Sequence, residues 1–242
     1  MTLTAPTSPN GVSTASSTAS SAASSTAPVA TTARWVGGAL AGAAVINVAA
    51  EAVVAGAWDV RGYSYVDDYV NFLGSPFTGV FQGITISSPL WWLMSAAWIA
   101  TGTLIAAASI GLSRRLTGWR RRTIAALGLA QGIALVLFAV FPLGPQTMAN
   151  GTLPLYLIGA FLSIIAGNAL AVVTGLSGRA LGLPRWLATG SIVLGTIGLI
   201  NIPATYGWTP TGVAERISVY SYLLWALCLG ITTLRARRNA AQ

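Results

Sequence analysis

The sequence predicts an all-α, polytopic membrane protein with six transmembrane helices in one bundle and a disordered N-terminal tail. Hydrophobic residues make up 54% of the 242 residues and charged residues only 7%, whereas soluble domains use about 25% charged residues. A helix needs about 20 apolar residues to cross a hydrocarbon core about 30 Å thick. Six runs are of this kind: Val36–Ala57, Leu90–Leu112, Thr123–Phe141, Leu155–Gly175, Leu187–Ala204 and Ile217–Leu234.

Residues 1–33 form the predicted tail. They contain eight Ser, eight Thr and eight Ala and no charged residue, and a segment of this composition buries too little apolar surface to fold. The charged flank follows this tract instead of preceding it, so we do not expect a secretory signal. The chain therefore divides into a disordered cytoplasmic tail (1–33), a six-helix transmembrane domain (34–238) and a short C-terminal tail (239–242).

The basic residues predict the orientation. All thirteen are Arg, and eleven of them fall in alternate connections and tails, while Arg61 and Arg216 fall in the others. Because cytoplasmic connections carry the excess of basic residues, we expect a multi-pass protein of the cell (inner) membrane with both termini cytoplasmic. The Arg clusters fit anionic lipid headgroups. Membrane lipids and other membrane proteins are therefore the expected partners, and nucleic acid is not.

The first run contains Glu51, the only acidic residue inside any of the six runs. An ionisable residue at membrane depth is expected to face protein and is a candidate for function. Asn47 lies one turn earlier on the same helix face. Gly38 and Gly42 have the GxxxG spacing that lets two transmembrane helices approach closely. The first helix is thus predicted to pack tightly and to present Glu51 to the bundle.

The connection between the first two runs is too long for a simple turn. Within it, Tyr65, Tyr69 and Phe72 recur at the spacing of one helix face, and Asp67, Asp68 and Asn71 fall on the other side. This pattern predicts a short amphipathic helix in the membrane interface. Ser88 and Pro89 then predict an N-cap and a first-turn proline for the second transmembrane helix.

The fourth run contains the strongest packing signal in the chain. Five small residues recur at intervals of four: Gly159, Ser163, Gly167, Ala171 and Gly175. Small residues let helix backbones approach in a membrane, so this stripe predicts a central helix with a partner pressed against it. Asn168, beside the stripe, is expected to find a hydrogen-bond partner within the bundle.

Three strings resemble the signature segments of a known family. Gly151–Gly175 reads GTLPLYLIGAFLSIIAGNALAVVTG, Asp67–Gly74 reads DDYVNFLG, and Gly212–Gly230 reads GVAERISVYSYLLWALCLG. In this order, and with Phe141-Pro142, they are similar to the motifs of the domain-of-unknown-function 998 family of six-span prokaryotic membrane proteins. The resemblance covers nearly all of the chain after the tail, and it implies the six-span fold but no particular activity.

One residue of the family pattern differs in this chain. Members often have a His shortly before the Gly-Ala of the fourth span, whereas this chain reads Leu155-Tyr156 there and contains no His. The role that this His has in other family members is therefore either absent from this chain or carried by another residue. The resemblance does carry over the Glu-Arg pair, as Glu215 and Arg216, and the polar loop residue, as Asn71.

The residue inventory excludes much catalytic chemistry. Without His, the chain lacks Ser-His and Cys-His nucleophiles and His-ligated metal sites, and without Lys it cannot form a Schiff base. Cys228 is the only cysteine and is expected to be an inert apolar residue. We therefore predict no catalytic residue, no cofactor and no metal site.

One set of polar residues remains as a candidate site near the outer end of the bundle: Glu51, Asn47, Asp67, Asp68, Asn71, Glu215 and Arg216. We expect Glu51 to pair with Arg216. This pair has two interpretations. It either connects the first and last helices as a structural ion pair, or it lines an outward-facing polar pocket for a lipid headgroup, a cation or a small solute.

Three functions follow from this candidate site. The favoured one is a non-catalytic membrane module that binds lipid or partner proteins around the pocket. The second is a small solute or proton-coupled transporter that uses Glu51, for which the inner half of the bundle offers few polar residues. The third is a lipid-modifying enzyme that uses carboxylates, with a divalent cation at Asp67, Asp68 and Glu51.

Overall fold

The computed structural model describes residues 27–81, 83–207 and 210–238. The elements in chain order are α1 (Ala27–Gly56), a 3-10 helix (Val70–Gly74), β1 (Gly79–Phe81), β2 (Ile84–Ile86), α2 (Trp91–Ser113), α3 (Gly118–Val140), α4 (Pro145–Ala149), α5 (Leu153–Leu176), α6 (Gly178–Leu181), α7 (Arg185–Ile200), α8 (Ile202–Gly207) and α9 (Thr211–Arg238).

The all-α fold with six transmembrane helices is confirmed. Six helical segments of the described chain are long and apolar enough to cross a membrane: Arg34–Gly56, Trp91–Ser113, Gly118–Val140, Leu153–Leu176, Arg185–Ala204 and Thr211–Arg235. Their bounds differ from the predicted ones by a few residues, because apolar composition does not show where the backbone hydrogen bonds begin and end.

The six long helices form a ring in sequence order. Each packs against the next along the chain, α9 packs against α1, and α5 also contacts α9 across the ring. We call the end that carries residues 57–90 the loop end, and the opposite end, with the Arg-rich connections, the arginine end. One apolar core, around Leu40, Ile105 and Trp225, lies towards the arginine end. A second, around Val54, Leu73 and Phe138, lies towards the loop end.

The first helix begins at Ala27, before the predicted boundary of the tail. Residues 27–33, assigned above to the disordered tail, are helical. The rest of the predicted tail, residues 1–26, lies outside the described residues, as does the C-terminal segment 239–242.

The prediction of an interfacial helix in the first connection is wrong. Residues 70–74 form a single 3-10 turn whose Val70, Phe72 and Leu73 are buried against the bundle, and a small antiparallel hairpin of β1 and β2 follows. The predicted cap at Ser88 is also absent, because its hydroxyl donates a hydrogen bond of 2.6 Å to the carbonyl of Leu73. Tertiary contacts therefore replace the expected local helix.

The small-residue stripe of α5 contacts three helices instead of the single partner predicted. Gly159 packs against the backbone of α3, Gly167 against the Tyr222 ring of α9, and Gly175 against the backbone of α7. Residues four apart are rotated by about 40° around a helix, so a stripe with this period winds past successive neighbours. Ser163 and Ala171 lie between these contacts and are buried.

The expected hydrogen-bond partner of Asn168 is present. Its side-chain amide donates a hydrogen bond of 2.9 Å to the carbonyl of Ser218 in α9. The same amide also donates to the carbonyl of Ile164, at 2.9 Å. This polar contact joins α5 to α9 inside the ring.

The GxxxG pair of α1 lies on the wrong face for the predicted contact. A Cβ atom added at Gly38 or Gly42 would meet no other atom within 4 Å. The close approach of α1 uses Gly37 instead, where a Cβ atom would lie 2.9 Å from the carbonyl oxygen of Gly230 in α9. Because Gly37 and Gly38 are adjacent, spacing alone does not decide which of the two faces the neighbouring helix.

Two glycines of α7 provide a matched test of this packing. A Cβ atom at Gly195 would overlap the carbonyl oxygen of Asn168 in α5, whereas one at Gly190 would meet nothing. We expect Gly195→Ala to lower the free energy of unfolding by about 1–3 kcal/mol, as overpacking does, and Gly190→Ala to leave it unchanged or slightly raised. Thermal unfolding of the detergent-solubilised variants measures both, and equal effects would contradict the described packing of α5 on α7.

Candidate functional site

The predicted ion pair between α1 and α9 is present. Arg216 Nε lies 2.9 Å from Glu51 Oε1, and the two side chains are 8% and 1% exposed. The second carboxylate oxygen, Oε2, accepts a hydrogen bond of 2.9 Å from the Tyr220 hydroxyl. Tyr220 lies one turn after Arg216 on α9 and so shares its face. Both oxygens of Glu51 are therefore engaged by α9.

Arg216 also binds the backbone of the loop. Its Nη1 donates hydrogen bonds to the carbonyl oxygens of Tyr65 (2.8 Å) and Asp68 (3.0 Å). It also donates to Gly212 O within α9, at 3.1 Å. A guanidinium group presents five donors in a fixed plane, and here they connect α1, α9 and the loop. These contacts occupy carbonyl groups that an interfacial helix would have used itself.

Two tyrosines surround the guanidinium group. Its carbon lies 5.3 Å from the centre of the Tyr63 ring and 4.8 Å from that of Tyr65, within the range of cation–π contact. Burial raises the pKa of the Tyr63 hydroxyl above its usual range, against the lowering effect of Arg216. The protonated hydroxyl shares its single proton between the carbonyl oxygens of Asp68 (3.2 Å) and Tyr69 (3.0 Å) and accepts a hydrogen bond from Arg216 Nη2.

Glu215 faces a different side of α9 from Arg216. Consecutive helical residues point about 100° apart, and Glu215 accepts hydrogen bonds from the backbone N–H groups of Val70 and Asn71 at the start of the 3-10 helix. The described residues form two salt bridges, Glu51–Arg216 and Arg61–Asp68. Neither includes Glu215, whose carboxylate is held directly by the backbone of the 3-10 helix and lies within the electrostatic influence of the neighbouring Arg216.

A cavity of about 440 Å³ lies beside Glu215, between the loop and helices α3, α5 and α9. Its walls are mostly aromatic and aliphatic. The polar lining comes from Asn71, whose amide donates a hydrogen bond of 2.6 Å to the Tyr156 hydroxyl, and from Ser163 and Glu215. The more exposed lining residues, among them Leu157 at 38%, mark an apolar mouth on the side of α5.

The structure therefore separates the predicted constellation into two parts. Glu51 and Arg216 form the ion pair towards α1, whereas Asn71 and Glu215 line the cavity. The other three predicted residues, Asn47, Asp67 and Asp68, belong neither to the ion pair nor to the cavity lining. Asn47 is buried in α1, and its side chain has no hydrogen-bond partner among the described residues.

The two loop aspartates are held within the loop. Asp68 is buried, pairs with Arg61 and accepts a hydrogen bond of 2.8 Å from the backbone N–H of Ser64. Asp67 is exposed and accepts a hydrogen bond of 2.9 Å from the Ser64 hydroxyl. Within the described parts of the chain, no three acidic or cysteine side chains are grouped closely enough to hold a metal ion.

Several residues of the site were not predicted from the sequence. Tyr63 and Tyr220 surround the ion pair, and Tyr156 and Phe138 form walls of the cavity. A signal existed for two of them: Tyr220 follows Arg216 by one helical turn, and Tyr156 falls in the region before the Gly-Ala of the fourth span that differs from the resembled family pattern. Nothing in the local pattern indicates Tyr63 or Phe138.

The fold and the site define a multi-pass α-helical membrane protein with a buried ion pair and a separate aromatic cavity at its loop end. The family model described as a protein of unknown function, DUF998, matches residues 40–232. The chain belongs to this family, so the resemblance of the three strings is confirmed. No curated protein and no solved structure matches the chain.

Because the ion pair is buried, we expect neutralising Glu51 to lower the stability of the protein strongly. Glu51→Gln leaves the buried Arg216 charge without its counter-charge, and breaking a buried pair in this way costs about 3–5 kcal/mol of stability. Asp67→Asn is the matched control, since it makes the same chemical change at an exposed carboxylate. We expect thermal unfolding in detergent at a much lower temperature for Glu51→Gln than for Asp67→Asn. Wild-type stability in Glu51→Gln would show that the pair is dispensable for the fold.

Proposed function

We propose that the protein is a non-catalytic membrane module that binds a compact amphipathic ligand, such as a lipid headgroup with adjoining acyl carbons, in the cavity beside Glu215. The observation that carries this proposal is the combination of an apolar mouth and a polar inner wall within about 440 Å³. This volume falls in the range of ligand pockets, about 300–1,000 Å³. It is much smaller than a two-chain phospholipid, so a lipid would insert only in part.

The chemistry of the mouth supports entry from the membrane. Leu157, on the rim, is one of the exposed apolar residues of α5, and the neighbouring lining residues Leu153 and Leu143 are partly exposed. Such a rim favours an amphipathic ligand over a strongly hydrated solute, because a hydrated solute gains nothing from contact with apolar side chains. The polar groups at the inner wall then orient the ligand, as the few polar groups of ligand pockets usually do.

The contacts of Glu51 support a structural role for it, and so favour this proposal over transport or carboxylate catalysis. Both of its oxygens are bound by Arg216 and Tyr220. Asp68 is likewise engaged by Arg61. A carboxylate that carries a proton or a metal through a cycle must exchange its partners, whereas these carboxylates join elements of the fold.

The proposed orientation places the loop end, and with it the cavity, on the outer side of the cell membrane. Its support is the concentration of Arg at the other end of the bundle, which is typical of cytoplasmic connections. In this orientation the ligand comes from the outer leaflet or from the outer surface.

Filling the cavity tests the proposal. Ala160 is a buried lining residue, and Ala160→Leu places three additional carbon atoms in the ligand's space. Ala126→Leu, on the exposed face of α3, is the matched control. We expect native mass spectrometry of gently extracted protein to show a bound lipid or small molecule on the wild type and on Ala126→Leu, and roughly tenfold less on Ala160→Leu, since a loss of 1.4 kcal/mol suffices for this factor.

Two results would contradict the proposal. If no molecule stays bound to the wild type, the cavity has no resident ligand. If the same molecule stays bound equally to Ala160→Leu, its site lies elsewhere on the protein. The melting temperature of each variant, measured in the same detergent, shows whether the protein remained folded.

A further inference from the structure

We propose that the ligand of this cavity carries a positively charged ammonium group, which Glu215 and the surrounding aromatic rings recognise. This inference rests on the proposed function, because it specifies the chemistry of the ligand in the same cavity. It does not involve the ion pair of Glu51 and Arg216, which lies on another side of α9.

The lining of the cavity carries one buried negative charge, that of Glu215. Glu215 is 6% exposed and belongs to neither salt bridge of the described residues. A buried charge is costly unless a counter-charge or hydrogen bonds compensate it. Backbone N–H groups of the 3-10 helix supply hydrogen bonds. The nearby Arg216 charge is already paired with Glu51, and none of the residues found to line the cavity is basic. A cationic ligand would supply the counter-charge.

The walls of the cavity are rich in aromatic residues. Six aromatic residues line the cavity: Tyr69, Phe72, Trp98, Phe138, Tyr156 and Tyr222. The Phe138 ring lies 4.5 Å from Trp98 and 5.6 Å from Tyr156, centre to centre, so three rings form a continuous wall. The faces of aromatic rings attract cations, and aromatic cages are a recurring means of binding ammonium groups.

Two polar residues of the lining, Asn71 and Ser163, also bear on the chemistry of the ligand. The Asn71 amide nitrogen is engaged by Tyr156, whereas its carbonyl oxygen is buried and has no hydrogen-bond partner among the described residues. Ser163 donates its hydroxyl proton to the carbonyl of Ala160. Asn71 Oδ1 and the Glu215 carboxylate are thus acceptors of the lining, and they suit a ligand that brings positive charge or N–H donors.

An ammonium group could reach the cavity from two sources. It could belong to a lipid headgroup that enters through the apolar mouth, or to a free organic cation with an apolar body. The chemistry recognised is the same in both cases. Nanodiscs without and with a lipid that has an ammonium headgroup distinguish the two sources.

The test compares phenyltrimethylammonium with tert-butylbenzene, which has the same shape but has carbon in place of the charged nitrogen. Each compound is titrated against the full-length protein in phosphatidylglycerol nanodiscs, and apparent affinity is read from the shift in thermal unfolding. We expect the cation to bind roughly tenfold more tightly or better, because a desolvated cation–π contact is worth about that factor. Nonspecific partitioning into the bilayer is removed by comparison with the variants below.

Glu215→Gln removes the charge and keeps an oxygen for the Val70 N–H. We expect it to lose the preference for the cation, while Asp67→Asn, outside the cavity, keeps it. Phe138→Leu is the second variant, because it removes the central ring of the wall and leaves Glu215 intact. It should weaken cation binding roughly threefold or more and change tert-butylbenzene binding less. The second variant keeps the test valid if Glu215→Gln does not fold.

A repeat in nanodiscs with added phosphatidylethanolamine distinguishes the sources. Competition by this lipid identifies a lipid ammonium headgroup as the ligand, and unchanged affinity identifies a free organic cation; both support the proposal. Equal binding of the two compounds by the wild type would overturn it and leave the proposed function standing. Failure of both compounds to bind the wild type would overturn this inference and the proposed function together.

Discussion

A buried ion pair between Glu51 of α1 and Arg216 of α9 joins the first and last helices of the ring to the loop that covers them. Two opposite charges removed from water and lipid are tolerated only when their remaining hydrogen-bonding capacity is satisfied. The Tyr220 hydroxyl donates a hydrogen bond to the second oxygen of the Glu51 carboxylate. The carbonyl oxygens of Tyr65 and Asp68 accept hydrogen bonds from the Arg216 guanidinium group. The pair therefore fixes three parts of the chain at once: the first helix, the last helix and the loop that covers them.

The fixed loop is what forms the cavity. With residues 65–68 bound to Arg216, the next residues enter the 3-10 helix, whose N–H groups meet Glu215 and whose Phe72 forms part of the cavity lining. Glu215 and Arg216 are adjacent in α9, but they contact different parts of the protein because their side chains point in different directions. Arg216 joins α9 to α1 and the loop, and we propose that Glu215 faces the ligand.

Hydropathy and the positions of ionisable residues predicted the six helices and the Glu51–Arg216 pair, because membrane depth restricts both. Other features depend on contacts between distant segments. The helix expected around Tyr65 and Tyr69 does not form, since side chains of α9 bind its backbone groups. A single polar pocket was expected, but Glu215 and Arg216 point to different sides of α9. The sequence places both residues at the same membrane depth, and depth alone does not show that their side chains point about 100° apart. Likewise Gly37, and not Gly38, faces α9.

Hydrogen exchange along the loop is the most direct test of the claim that the ion pair holds this loop on the bundle. The amide of Val70 is bonded to Glu215 in the interior, whereas that of Gly62 lies in an exposed part of the same loop. We predict that Val70 exchanges far more slowly than Gly62 in the wild type and that Glu51→Gln removes most of this difference. Val70 exchanging as fast as Gly62 in the wild type, or remaining fully protected in a folded Glu51→Gln variant, would contradict it.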